Sequence, residues 1–501
     1  MPRILLCCLL ALVAISPESS AQVAELTSEL TELVDTWQGV GVAPAIGIAV
    51  VREGTPIYTR VVGVTDLATG QSASAATRFY IASTSKSFLG LTAAVLHGEG
   101  RVDLDQPVTR YLPELKLRSP MSAAEITLRD LLALRHGIED GGPVVFRTAF
   151  SGDFSREELI ELLADYGPGE QGRAFNYGNL GYNIAAMALE RATGSDWKTL
   201  VAETVLEPAG MASTTAWPSR VADETLAMPH KTIPAGAERI PMGKVDETMH
   251  AAGGHVATLE DLGRWVALNL GGGSLDGQRI FPAEAVAATH RQEVAQDREF
   301  GAYHRTGWGL GWDLGAYGDD ALISRFGSYA GFRSHLSFMP ERGLGVVVQV
   351  NDGMLGAFLA DAIANSIYDL LLGRGEEARA SVERAQAMVA GGRRQLAGEL
   401  EKRARRPQVM PLPFESYVGV YTNEAWGSLD WRLVDGRLCV AIGVARSCAE
   451  VFDGQRHQLR VELTGSGQVM TFAVEGDAVR AVTYDGVEFD RRPGGAGAPP
   501  G

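Results

Sequence analysis

The stretch from Ser83 to His97 constrains the fold of this chain more than any other. Phe88, Leu89, Leu91, Ala93, Ala94, Val95 and Leu96 leave it apolar on nearly every face, and a helix of that kind has to be buried inside a sizeable core. At its head stands Ser83-Thr84-Ser85-Lys86. Residues three apart share a helix face, so Lys86 is expected beside the Ser83 hydroxyl. Partial desolvation there would depress the lysine and let a neutral amine act as general base for a serine nucleophile. The helix N-terminus adds unpaired N–H groups and partial positive charge, which favour an oxyanion formed on a carbonyl attacked by Ser83. The spacing alone is common. It recurs at Ser195-Asp196-Trp197-Lys198, where Ser195 after Gly194 reads as an N-cap and Lys198 as a solvated side chain.

The chain has 501 residues, a formal net charge of −16, 46% hydrophobic and 21% charged residues. That balance is globular and acidic, which disfavours nucleic acid as a partner and large-scale disorder. Residues 1–21 carry an early Arg3, an apolar core from Ile4 to Ile15 and a small-residue end at Ser19-Ser20-Ala21. This is the pattern of a cleaved secretory signal, too short for the alternative of a membrane anchor. The expected protein is therefore exported, periplasmic or secreted, with no stable membrane span after cleavage. Outside that segment only Cys439 and Cys448 remain. In neighbouring strand-like runs of an exported chain they suggest one disulfide, with a buried free pair as the alternative.

Two β-branched hairpins lie far apart in sequence, Ala45–Val51 with Ile57–Val62, and Ser334–Met339 with Gly343–Val350; a helical segment near 359–372 follows the second. Helices and Gly/Pro-rich loops fill the interval, so residues 22–373 read as one α+β domain whose antiparallel sheet takes strands from both ends. Residues 374–409 turn to Ala, Glu, Arg and Gln and read as a solvated helical linker broken at Gly391-Gly392, with a partner-binding role as the less supported reading. In 410–492, short alternating runs are punctuated by Asp435-Gly436, Asp453-Gly454, Glu475-Gly476 and Asp485-Gly486, which predicts a small antiparallel β-barrel or sandwich. Residues 493–501 are too rich in Gly, Pro and Ala to be expected to order.

Two further motifs carry chemistry. In Phe175-Asn176-Tyr177-Gly178-Asn179, a tyrosine hydroxyl can relay a proton to a leaving group, and Asn179 can bond both the lysine and a substrate amide. A copy at Tyr421-Thr422-Asn423 reads as a core tyrosine and a turn asparagine. Arg325-Phe326-Gly327-Ser328, just before the last hairpin of the sheet, can supply a backbone edge opposite the serine, where Gly327 lets main chain approach a ligand. No His-Glu-x-x-His, Cys-x-x-Cys or Gly-x-Ser-x-Gly occurs, so no metal or cofactor is expected. His255 reads as a structural residue rather than a base.

Taken in this order, serine-lysine, tyrosine, glycine edge, the chain resembles the penicillin-recognising serine hydrolases: class C β-lactamases, DD-peptidases, and related esterases and D-aminopeptidases. The resemblance covers roughly residues 26–373, helped by Ile126–Leu132, Glu207-Pro208-Ala209-Gly210-Met211, Ala252-Gly253-Gly254 and Gly307–Trp312. It implies Ser83 as acylated nucleophile, Lys86 as its base partner, Tyr177 as proton relay and Asn179 as a ligand of substrate and lysine. The N–H groups of Ser83 and Ser328 would form the oxyanion hole. The chain departs from the family where relatives carry Lys-Thr-Gly or His-x-Gly. Arg325 keeps the charge but cannot lend a proton, and Phe326 removes a hydroxyl that would meet a substrate carboxylate. If it faces the cleft, the Arg325 guanidinium is expected to bind a substrate anion, the alternative being a structural ion pair. Leu134-Arg135-His136-Gly137 stands where relatives often read His-Thr-Ser-Gly. The terminal β segment, starting at Pro413–Tyr421, resembles the lipocalin-like domain appended to some peptidases of this family and fits a lid or an oligomer contact. The expected function is hydrolysis of an ester or amide, peptide-like substrates included, more as esterase or peptidase than as efficient β-lactamase. The rival is a binding protein that captures an acyl ligand without turnover.

Overall fold

The computed structural model describes residues 20–493. The expected leader and the terminal tail lie outside them, apart from Ser20, Ala21 and Pro493. No helix among the described residues is long and apolar enough to cross a membrane.

The two distant hairpins meet as expected. Strand Ala45–Arg52 pairs antiparallel with Leu344–Val350, Ile46 opposite Val350 and Ile48 opposite Val348. They form the middle of a ten-stranded sheet ordered Val294–Phe300, Tyr303–Trp308, Asp313–Tyr317, Asp320–Ser324, Phe332–Met339, Leu344–Val350, Ala45–Arg52, Thr55–Asp66, Gln71–Ser72; the short strand Gly327–Tyr329 pairs separately with Phe332–Met339. Both faces are covered, which is why Ala45–Val51 is apolar throughout and Leu344–Val350 is apolar but for buried Gln349, which donates to Ser334 Oγ at 2.7 Å. Ala45, Ala49, Leu336, Phe338 and Val347 face the helices Ser85–Gly98 and Leu259–Leu270. Ile46, Ile48, Val50, Val346 and Val348 face Ser20–Val40, Leu355–Leu371 and Gly375–Ala404.

The helix Gly375–Ala404 corrects the expectation of a broken, solvated linker: it runs unbroken through Gly391 and Gly392. Ala378, Val382, Ala385 and Val389 form a buried stripe at three- and four-residue spacing. A Cβ on Gly392 would stand 2.8 Å from Leu355 Cδ2, so the glycine permits close helix approach. Near its end, Arg403 pairs with Glu450 at 2.7 Å.

The C-terminal segment is a nine-stranded antiparallel sheet running from Ala445–Cys448 at one edge to Glu450–Asp453 at the other, nearly closed into a barrel. The Glu462 N–H donates to Ser447 Oγ at 2.8 Å across the seam. Tyr417, Tyr421, Trp431 and Phe472 occupy the interior, ring against ring. Asn423 Oδ1 accepts the N–H groups of Ala425 and Trp426, the turn role expected of it. Cys439 and Cys448 are opposite one another on adjacent strands and joined by a disulfide.

Candidate active site

Ser83 lies in a tight helical turn, Ala82–Thr84, that leads into the buried helix Ser85–Gly98. The chain reaches it from Phe79–Tyr80, paired with Val256–Ala257, and Ala82 adopts a positive φ of 46°, a strained setting for a residue with a side chain. Between Ile81 and Gly90 every residue is buried except Ser83, which is half-exposed. Thr84 fastens the turn to the sheet, its hydroxyl bonded to Ser334 Oγ at 2.8 Å and to the Arg325 carbonyl at 3.3 Å. The strand Gly327–Tyr329 crosses immediately beside it. A Cβ on Gly327 would fall 2.0 Å from the Ile81 carbonyl oxygen and 3.1 Å from the Ser83 nitrogen, so only glycine allows this approach. Ser328 is exposed there.

Lys86 Nζ donates to Ser83 Oγ at 3.2 Å, to Asn179 Oδ1 at 2.7 Å and to the Ala252 carbonyl at 2.9 Å. All three acceptors are neutral. Burial pushes the lysine below its ordinary value; the Arg325 charge acts in the same direction and the Tyr177 phenol against it. Tyr177 lies 5.1 Å from Lys86 Nζ by ring centroid. Burial alone would raise its phenol, but the charges of Arg325 and Lys86 and a hydrogen bond with Ser83 outweigh that and bring it to about 8. The structure thus gathers Ser83, Lys86, Tyr177, Asn179, Gly327 and Ser328 around one point.

Arg325 requires a correction. Its guanidinium does not open into the cleft for a bidentate substrate contact; it is 4% exposed, donates through Nε and Nη2 to the Phe326 carbonyl and stands 3.5 Å from Asp313. It lies over the rings of Tyr177 (5.1 Å) and Trp308 (4.9 Å), acting on the site as a fixed charge from below. Phe326 stacks on His335 at 4.4 Å within the core of the opposite sheet face.

Several contributors escaped the sequence reading. Asp140 accepts the N–H groups of Asn179 and Leu180 at 3.0 and 2.9 Å, holding the Tyr177 loop at the start of helix Leu180–Thr193. A Cβ on Gly178 would clash with that carboxylate. Leu134-Arg135-His136-Gly137 has a structural role: the Leu134 carbonyl accepts from the Asn176 N–H, Arg135 pairs with Asp130 at 2.8 Å, and buried His136 accepts from the Ile138 N–H. Gly90 and Gly311 bring the Leu310-Gly311 backbone onto the Lys86 helix, which explains the Gly307–Trp312 string. The second Ser-x-x-Lys spacing has no such surroundings. Its helix cap is Asp196, not Ser195, and Lys198 is bound to the Asp246 carbonyl rather than solvated. His255 is buried between the rings of Phe88 and Trp197.

A buried lysine on a serine, a tyrosine opposite and a glycine strand across the mouth define a class, the serine acyl-transfer proteins that recognise penicillin. Residues 30–365 match the Beta-lactamase family model, and the chain belongs to that family. It is similar to "Penicillin-binding protein 4" of Amycolatopsis lactamdurans, 25% identical over 332 residues that make up 65% of this chain and 86% of that one. It is also similar to "Protein flp" of Staphylococcus aureus (strain COL), 23% identical over 320 residues, with 62% of this chain matching 60% of that one. Among solved structures, the octameric penicillin-binding protein homologue from Pyrococcus abyssi aligns with a TM-score of 0.57 at 20% identity, over 93% of this chain and 99% of that one. SurE aligns with a TM-score of 0.55 at 20% identity, over 94% and 99%. Both structural likenesses extend across the barrel as well as the mixed domain.

Proposed function

We propose that this chain is a serine acyl hydrolase that cleaves an ester or amide bond, peptide-like substrates included, through an acyl-Ser83 intermediate. The observation that carries this reading is the Lys86 amine, buried among neutral acceptors and 3.2 Å from Ser83 Oγ. Ser83 Oγ attacks the substrate carbonyl carbon and its proton passes to Lys86. The oxyanion is received by the N–H groups of Ser83 and Ser328. Tyr177 relays the proton to the departing alcohol or amine, and Asn179 orients the acyl donor. Water then attacks the acyl-enzyme by the reverse proton path and releases the acid. Esterase or peptidase action is favoured over efficient β-lactam hydrolysis, because Phe326 offers no hydroxyl and the Arg325 guanidinium is engaged below the site. Export, with residues 1–21 as a cleaved leader, is part of the same reading and is supported by the Cys439–Cys448 disulfide.

The test is mass spectrometry of the intact protein after exposure to esters, D-aminoacyl amides, peptides and β-lactams, followed by burst kinetics on any substrate that reacts. An adduct on Ser83 with continuing turnover is expected. An adduct that stops at one equivalent would make the protein an acyl-binding sensor, and no adduct from any class would remove the assignment.

A further inference from the structure

The barrel meets the mixed domain at the wide helical turn Arg147–Ser151. Phe146, just before it, belongs to the barrel's core, its ring 5.2 Å from Trp426 and 6.1 Å from Tyr484. Arg147 is buried and donates to the Ala425 and Glu424 carbonyls at 2.7 and 3.2 Å. The Ser151 carbonyl accepts the Val444 N–H at 2.9 Å, at the tip of the hairpin that the disulfide staples. Gly443 at that tip has φ +53°, and a Cβ there would come 2.1 Å from the Ser151 carbonyl oxygen. This turn continues the contact inward. Phe150 stacks at 5.5 Å on Tyr329, the residue after Ser328, and Tyr329 meets Tyr80 edge-on at 5.2 Å. Lys244 sits over Tyr329 at 4.0 Å and bonds the carbonyls of Ala149 and Thr248. On the other side of the edge strand, Gly465 of the barrel packs against Ala330, where a Cβ would be 2.2 Å from the alanine methyl.

We propose that the barrel sets the acyl-group specificity of the Ser83 site: the hairpin tip Gly443-Val444 holds the Arg147–Ser151 turn so that Phe150, stacked on Tyr329, walls one side of the space before Ser83 and Ser328 and favours small acyl groups over bulky ones. The inference rests on the reading of Ser83 as the acylated nucleophile. Both rings are half-buried, so each keeps an exposed part beside the edge strand. A contact that merely joined barrel and mixed domain would alter stability and leave the choice between substrates alone.

The experiment measures kcat/KM for p-nitrophenyl acetate and p-nitrophenyl phenylacetate in the full chain and in Phe150→Ala, Gly443→Val and the double variant. Each single substitution should raise the phenylacetate-to-acetate ratio by about tenfold or more, the lower range for one hydrophobic contact in a pocket. The double variant should match the larger single effect, because both act through one contact. Should Gly443→Val fail to fold, Arg147→Met takes its place, removing the bonds to the Glu424 and Ala425 carbonyls together with one to the Asp153 carbonyl. A ratio unchanged within about twofold in Phe150→Ala, or single effects that multiply in the double variant, overturns the proposal while turnover of the acetate leaves the hydrolase reading standing. A wild-type chain that turns over neither ester and forms no Ser83 adduct overturns both.

Discussion

Lys86 is held by three oxygens that carry no charge, so desolvation outweighs the opposing pull of Tyr177 and holds the amine below its ordinary value. Lys86→Ala should therefore lose about 10²–10⁴-fold in kcat/KM, the usual general-base contribution, while Ser195→Ala, behind the Asp196 cap, should leave steady-state rates unaltered. A loss below about tenfold would pass the base role to Tyr177. The phenol of Tyr177, brought to about 8 from an ordinary value of 10, is ionised in the folded protein at pH values where a free tyrosine is not. Its stabilising contribution is complete above pH 10 and lost as pH falls through about 8, and kcat/KM should show a limb near that lower value. Arg325→Met removes the fixed charge 5.1 Å from the ring and should move the limb toward higher pH, which a pH–rate profile reads directly. Because the guanidinium is engaged with Phe326 and Asp313, the change should slow neutral and anionic substrates alike. Selective loss of anionic ones would return Arg325 to the binding surface.

The helix Gly375–Ala404 offers a sharper comparison between two adjacent glycines. A Cβ on Gly391 meets only the end of Arg394 at 3.9 Å, whereas one on Gly392 meets Leu355 at 2.8 Å. Gly391→Ala should thus stabilise by about 0.5–1 kcal/mol in urea unfolding, and Gly392→Ala by less, because Leu355 has to give way. Equal gains would mean that the packing against Leu355–Leu371 is looser than the contact distances imply. That helix also shows where sequence reading stops. Four buried residues among thirty are hidden in a composition that looks solvated, and the glycine pair reads as a break until its neighbour is known. The site divides similarly. Ser83 with Lys86, and Tyr177 with Asn179, are legible because each pair is fixed by local spacing. Gly327 is legible because close approach needs glycine. The Ala252 carbonyl leaves no side-chain signature, and Asp140 and Asp313 act across long sequence separations. The direction of Arg325 depends on Asp313 and Trp308 lying beneath it, which no local pattern encodes.

At the scale of the whole molecule, the histidines of the core decide how the fold meets acid. Burial brings His136 to about 4, His255 to about 3 and His290 to about 4, from an ordinary 6.5. Each stays neutral in the folded chain while its unfolded counterpart takes a proton, so their contribution is fully present above pH 6.5 and falls as pH drops toward 4. Buried Asp352, raised to about 6, works the opposite way, since it is protonated when folded and ionised when unfolded. It offsets part of that loss. His255 isolates the effect, because its ring touches Phe88 and Trp197 and neither nitrogen has a hydrogen-bond partner among the described residues. His255→Phe should keep those ring contacts and remove the proton. Between pH 6 and 4.5 its urea-unfolding free energy should fall less steeply than wild type by about 1.4 kcal/mol per pH unit, the value of one linked proton, with little difference at pH 7.5. Parallel slopes for the two proteins would show that His255 is already protonated in the native core, held by a partner that its aromatic surroundings do not supply.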